Sequence, residues 1–181
     1  VDHKMRESSN SEALALNKFL TKKKISHQIL EIDAEKIPQK NIEATLRELR
    51  YSLLCGFCKK NKITDLFLGH HLGDVAENFL IRLFRGSGLD GLSTIAKTSK
   101  LNEINLVRPL LDFSKDDLKA VLKSKKIKWF EDKSNEDEKF LRNKIRKFLE
   151  SFPDQNLIQK RIKNSSDEIA KYRDQFDLAM L

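Results

Sequence analysis

Residues 65–93 read D-L-F-L-G-H-H-L-G-D-V-A-E-N-F-L-I-R-L-F-R-G-S-G-L-D-G-L-S. Asp65 to Gly69 is a short apolar run bounded by turn chemistry, the pattern of a buried strand. Two histidines follow, then an amphipathic helix from about Gly73 to Arg85. Ala76, Phe79, Leu80, Leu83 and Phe84 recur at helical spacing and make one apolar face. Asp74, Glu77, Asn78, Arg82 and Arg85 fall on the opposite face. His70 and His71 therefore stand where a strand's carboxyl end meets a helix amino end, with Asp74 and Glu77 on the first turns of that helix. Ligands bind at this edge of open α/β sheets. Acids in a first turn also complement the helix dipole, so each residue alone has a structural explanation. Taken as a group they read as a site, because the polar groups converge while the apolar face stays clean.

Working outward, the 181 residues suffice for one substantial core with an appended helix. Hydrophobic residues at 39% and charged residues at 34% fit a globular domain rather than a disordered chain. No apolar run approaches the ~20 residues that span a bilayer, and no secretory signal opens the chain. The expectation is a cytoplasmic protein without a membrane partner. Lys+Arg 35 against Asp+Glu 27 leaves +8, which suits a polyanion such as nucleic acid, although scattered surface lysines give the same sum.

Upstream, residues 8–24 read as a helix capped by Ser8 or Asn10, with Ala13, Leu16, Phe19 and Leu20 inward. Residues 27–33 read as a strand and residues 40–61 as a long helix, with a loop containing Pro38 between them. Leu46, Leu49, Leu53 and Phe57 make the stripe of that helix. Its Cys55 and Cys58 are spaced C-x-x-C, compatible with a redox pair, half of a metal site or two iron–sulfur ligands. Their place inside an apolar helix favours two buried core cysteines. Arg47 and Arg50, three apart, share a face of the same helix.

Downstream, Gly86, Gly88 and Gly91 end the histidine-led helix. L-V-R-P-L-L, 106–111, reads as a strand. Residues 114–126 read as a helix with a Ser114/Asp117 capping box and Leu118, Val121 and Leu122 inward. Residues 128–132 read as a short strand. A second capping box, Ser134 and Asp137, opens a helix whose stripe is Leu141, Ile145, Phe148 and Leu149. Arg142 and Arg146 stand one turn apart on it, beside Lys139 and Asn143. Arginine presents a planar fork suited to phosphate. Residues 154–181 read as one or two exposed helices. Strands alternating with helices argue a parallel sheet with right-handed crossovers.

Two blocks carry a family resemblance. G-H-H-L-G-D-V-A-E-N with R-L-F-R-G-S-G-L-D-G-L-S, and W-F-E-D-K-S-N-E-D-E-K-F-L-R-N-K-I-R, resemble the tRNA(Ile)-lysidine synthases, PP-loop (N-type) ATP pyrophosphatases. R-E-L-R-Y, 47–51, and R-P-L-L, 108–111, match as well. The chain departs from the family pattern at Gly73, Val75 and Asn78, where the family has aspartate, glutamine and threonine.

The resemblance spans roughly residues 1–150 and implies a Rossmann-like α/β fold of the adenine nucleotide alpha hydrolase type. It also implies a PP-loop catalytic domain over 1–150, lacking its first strand, and a helical extension over 151–181. The family's phosphate loop, Ser-Gly-Gly-x-Asp-Ser, does not occur here, so weak ATP binding is expected, with His3 and Arg6 as the remaining candidates for it. The implied reaction uses ATP and Mg²⁺ to adenylate the wobble cytidine of tRNA(Ile), which free lysine then attacks. By this resemblance Asp74, Glu77, Arg50 and Arg142 are catalytic. His70, His71, Arg82, Arg85, Asn135, Asn143 and Arg146 bind tRNA or the adenylated intermediate. A Glu77→Ala change is then expected to abolish product while leaving the fold intact. Two rivals are a tRNA 2-thiocytidine synthetase-type sulfurtransferase, which shares G-H-H-x-D-D and an upstream C-x-x-C, and a non-catalytic basic RNA-binding fragment.

Overall fold

The computed structural model describes residues 1–2, 7–33, 42–93, 95–130 and 141–179. The elements are α1 (Glu7–Lys22), α2 (Ile42–Lys60), β1 (Asp65–Phe67), α3 (Leu72–Phe84), α4 (Leu89–Leu92), β2 (Thr98–Leu101), β3 (Ile104–Val107), α5 (Lys115–Ser124), α6 (Leu141–Glu150) and α7 (Gln155–Ala179). The fold is α/β, a small mixed sheet in the order β1-β3-β2 flanked by helices. Two compact units make up the chain: Val1–Leu66 with Asn102–Ile104, and Phe67–Leu101 with Asn105–Leu181.

The mixed sheet refines the expected parallel one. β2 and β3 are joined by only Asn102 and Glu103, which is too short for a crossover and makes them an antiparallel hairpin. Asn102 takes φ 55°, a left-handed conformation asparagine tolerates well. The strand read over 106–111 is β3, shifted upstream; from Pro109 the chain turns. Proline's missing N–H explains the break. Residues 128–130 form no strand, and 131–132 lie outside the described residues. The strand read over 27–33 reduces to one parallel bridge, Glu31 with Asp2.

In the first unit, α1 begins at Glu7, so Ser8 and Asn10 stand inside the helix rather than capping it. Leu16, read as inward, is exposed. On α2 the cysteines are more buried than the leucine stripe, and both are free thiols. Burial, with Cys55 beside it, pushes the Cys58 thiol pKa up, which favours an inert core residue.

In the second unit, α3 is the central element. Ala76 and Leu80 pack with Ile145 and Leu149 of α6, and Phe79, Ile81, Ile158 and Ile162 border this cluster. Leu83, Phe84, Leu141, Phe148 and Val121, all read as inward, are exposed. A helix needs only about a 100° apolar stripe, and these residues fall at its edges or in last turns. Gly86, at φ +71°, ends α3. Its N–H donates to the Leu83 carbonyl, and the Ser87 N–H donates to that of Arg82, both at 3.0 Å.

Of the one or two exposed helices expected over 154–181, the described residues hold one, α7, and it is not wholly exposed: Gln159, Lys163 and Ser166 are buried, and Ile158 and Ile162 border the core cluster. α7 packs on α3 and α4. The Lys163 ammonium donates to Asp112 at 3.0 Å and to Asp167 at 2.5 Å, and Lys97 donates to Asp112 at 2.9 Å. Hydrogen bonds from Lys97 and then Lys163 hold the Asp112 carboxyl below its ordinary value. Burial opposes the charge on Lys163, but its bonds to Asp167 and Asp112 outweigh that and raise its pKa. Ser166 Oγ donates to the Leu92 carbonyl, and Arg173 Nη1 donates to Ser93 Oγ.

Candidate functional site

The amino end of α3 is built by a reciprocal cap. His71 Nδ1 accepts from the Gly73 N–H at 3.0 Å, and Asp74 Oδ2 accepts from the His71 N–H at 2.9 Å. Nδ1 is thus an acceptor, which places the ring proton on Nε2, 3.7 Å from Asp74 Oδ2. The departure at Gly73 has a physical reason here. A Cβ at that position would stand 2.8 Å from His71 Cε1, so glycine is what lets the ring fold over the helix end. Asp74 is thereby engaged in capping, the structural explanation open to it from the sequence.

One turn on, Glu77 is only 4% exposed. The solvent-facing position assigned to it from periodicity is therefore corrected: it points inward, toward α6. Arg146 grips it with a fork, Nε to Oε1 at 2.8 Å and Nη2 to Oε2 at 3.1 Å. The Nε of Arg142 lies 3.3 Å from Oε2. The bond to Glu77 raises the pKa of Arg146 above its already high ordinary value. Two arginines thus share one carboxylate at the junction of α3 and α6, where Asp74 and Glu150 also act on Arg146. The Arg142 side chain, 41% exposed, is the more open of the two cations. Asn143 is buried beside them on α6.

A cavity of about 400 Å³ opens at this junction. α3 and its cap contribute His71, Gly73 and Glu77 to its wall, α6 contributes Arg146 and Glu150, α5 contributes Lys115, Asp116 and Lys119, and α7 contributes Asn156 and Gln159. A neighbouring groove of about 650 Å³ runs along residues 150–157 and carries Asp116, Glu150 and Asp154 but no cationic side chain, so it does not suit phosphate.

The structure thus brings together His71, Asp74, Glu77, Arg142, Asn143 and Arg146. His70 precedes the cap and is half-buried. Arg82 and Arg85 do not join the group. They sit at the far end of α3, Arg82 about 12 Å from Asp74 along the axis, where Arg82 Nη1 donates to the Gly91 carbonyl. Arg50 lies on α2 in the first unit, 6.0 Å over the Tyr51 ring. His3, Arg6 and Asn135, and the Ser134/Asp137 box, fall outside the described residues. Sequence reasoning missed Lys115, Lys119 and Gln159. The lysines show an i, i+4 spacing after the Ser114 cap, which marks a shared face but not what it faces. Among the described residues, no group of three or more His, Cys, Asp or Glu side chains is arranged to hold a metal ion, and no helix is long and apolar enough to cross a membrane.

Comparison with known proteins identifies the family. A PP-loop domain model matches residues 1–151. The chain is 40% identical over 151 residues to the tRNA(Ile)-lysidine synthase of Orientia tsutsugamushi (strain Boryong), covering 83% of this chain and 34% of that protein. It is 43% identical over 122 residues to the tRNA(Ile)-lysidine synthase of Wolbachia pipientis wMel, covering 67% of this chain and 28% of that protein. The chain therefore spans about a third of the length of these curated relatives. Among solved structures, the U34-tRNA thiolase NcsA from Methanococcus maripaludis with its [4Fe-4S] cluster superposes with a TM-score of 0.66 at 16% identity, covering 88% of this chain and 57% of that one, which speaks to the fold alone. With the matched model covering both blocks that carry the site, the chain belongs to the PP-loop ATP_bind_3 domain family.

Proposed function

We propose that this chain is the catalytic PP-loop portion of a tRNA(Ile)-lysidine synthase, with the catalytic domain over 1–150 and a helical extension over 151–181. The reaction adenylates the C2 carbonyl oxygen of the wobble cytidine with ATP and releases pyrophosphate. The amine of free lysine then attacks C2, and AMP leaves. The observation that carries this reading is the convergence of Glu77, Arg142 and Arg146 beside the α3 cavity, within the blocks matched to the relatives.

The chain's own residues take distinct parts. Both Glu77 oxygens are engaged by arginines, so Glu77 is a positioning residue that aims Arg142 and Arg146. Arg142, the more open cation, offsets the charge that develops on the phosphoryl group and the activated base. His71, with its proton on Nε2, lines the cavity as a hydrogen-bond donor for the base or the lysine. Asn143 and Arg146 hold the intermediate in place, and Asp74 keeps the His71 ring oriented. Arg142, Arg146, Lys115 and Lys119 are the cations that the phosphates of ATP would meet here. Mg²⁺ would arrive on the phosphates of ATP, where it would neutralise charge and need only one or two protein carboxylates. The cytoplasm, where tRNA is modified, is the expected location.

The sulfurtransferase reading is weaker, because the C-x-x-C thiols are buried within α2. The test is ATP-dependent incorporation of labelled lysine into a tRNA(Ile) transcript by the full-length gene product. Lysine incorporation with release of AMP supports the proposal. Incorporation of sulfur, or of nothing, overturns it.

A further inference from the structure

The lysines that line the cavity begin a row that leaves it. Lys115 and Lys119 are in the wall, and Lys123 continues the same face of α5 one turn further on. At 1.5 Å per residue the three span about 12 Å. Lys125, Lys126 and Lys128 follow in the exposed segment after the helix. From Lys115 to Phe130 there are six lysines and two acids, and both acids are turned to other work. Asp117 closes the α5 cap with Ser114, and Asp116 accepts from Asn156 Nδ2 at 3.1 Å. Among the described residues, Lys123, Lys125, Lys126 and Lys128 have no carboxylate within ion-pair reach.

Beside the row stand two aromatic side chains with solvent-exposed surface. Trp129 is 41% exposed and Phe130 58%. The Lys119 ammonium lies 5.8 Å from the centre of the Trp129 ring, so the aromatic and the lysine row share one surface. α5 itself buries no residue fully, and Val121 on it is exposed. A solvated lysine face needs no tryptophan. Cations spaced along a line with a partly exposed ring beside it match the needs of a single-stranded polynucleotide: cations track the backbone, and a ring stacks a base.

We propose that Lys115, Lys119 and Lys123, with Trp129 beside Lys119, form a track that carries single-stranded RNA flanking the target base out of the cavity. This rests on the tRNA reading above and adds to it the path of the strand. The row meets the cavity beside Arg146, so a base placed there has its neighbours directed along α5.

The test is fluorescence anisotropy with a labelled anticodon stem-loop RNA of tRNA(Ile), read as a function of salt, on the chain with and without substitutions. Lys119→Gln/Lys123→Gln is expected to reduce the slope of log K against log salt by about 1.4, two contacts at about 0.7 each for a single strand. Trp129→Ala is expected to weaken binding by about 5- to 150-fold, the effect of losing one stacked base. Lys100→Gln, on exposed β2 away from the row, is expected to change neither. Circular dichroism confirms that each variant is folded. Wild-type binding left unaltered by the track variants overturns the track while leaving the tRNA reading standing. Absence of any RNA binding overturns both. Binding to phosphatidylserine vesicles in preference to RNA would assign the surface to a membrane and likewise overturn the track.

Discussion

Glu77→Gln is the most informative single change, because the Glu77 carboxylate ties α3 to α6 at the proposed site. Glutamine keeps the shape but replaces one acceptor oxygen with an NH₂ that faces guanidinium donors. Hydrogen bonds to charged groups contribute about 1.5–3 kcal/mol each when shielded. The Arg146 side chain is 25% exposed and that of Arg142 is 41% exposed, so the first contact carries a discounted value and the second a surface value of about 0–1 kcal/mol. Together these give a loss of about 2 kcal/mol. For a chain of this size that lowers Tm by about 4–8 °C. A double-mutant cycle of Glu77→Gln with Arg146→Met should show a coupling of about 2 kcal/mol, whereas the cycle with Arg142→Gln should show less than about 1. Thermal denaturation followed by circular dichroism measures all of them. A Glu77→Gln variant melting within about 1 °C of wild type would refute the reasoning. The fold that the sequence-based expectation keeps intact in Glu77→Ala would be kept at lower stability, because this carboxylate ties α3 to α6.

Three further outcomes follow from the same coordinates. Asp112 has a lowered pKa, so its contribution is full above its unfolded value of about 3.9 and is lost as pH falls through the lower folded value; Lys163 has a raised pKa, so its contribution is full below about 10.4 and is lost as pH rises through the higher folded value. Asp112→Asn should accordingly flatten the acid limb of the Tm-against-pH profile, and an unchanged acid limb would contradict the network. Gly91→Ala should cost about 1–3 kcal/mol in urea denaturation, since its Cβ would stand 2.5 Å from Ser87 Cβ, whereas Gly88→Ala, with open space around it, should cost less than about 1. Gly73→Asp should displace the His71 ring, visible as a shift of its imidazole resonances, while Tm moves by less than about 4 °C, because an aspartate in a first turn is itself a favourable partner of the helix end. An unmoved ring would disprove the steric role assigned to Gly73.

How far the sequence foretold this structure depended on whether a residue's environment is local. The cap at Ser114 and Asp117 was legible because its partners lie three residues apart. The turn at Gly86 was legible because the left-handed region favours glycine. The α3–α6 site was legible as a group of types, but not as a geometry. Periodicity placed Glu77 opposite the apolar face, and only the arrival of two arginines from 65 and 69 positions away in the chain makes burial of that carboxylate tolerable. The exposure expected of α7 failed for a related reason. Beside the apolar pair Ile158 and Ile162, its buried residues Gln159, Lys163 and Ser166 are polar, and their partners Asp112 and Leu92 lie far upstream. The strand read over 128–132 rested on β-propensity in Trp129 and Phe130, and both prove to be exposed.

Pyrophosphate release dependent on tRNA(Ile), measured without lysine in the full-length gene product, tests the site most directly. Arg142→Gln alters an open side chain and should melt within about 3 °C of wild type. The account predicts that this folded variant releases pyrophosphate about 10²–10³-fold more slowly, the cost of losing one donor aimed at developing charge. A folded Arg142→Gln enzyme that releases pyrophosphate at the wild-type rate would contradict it.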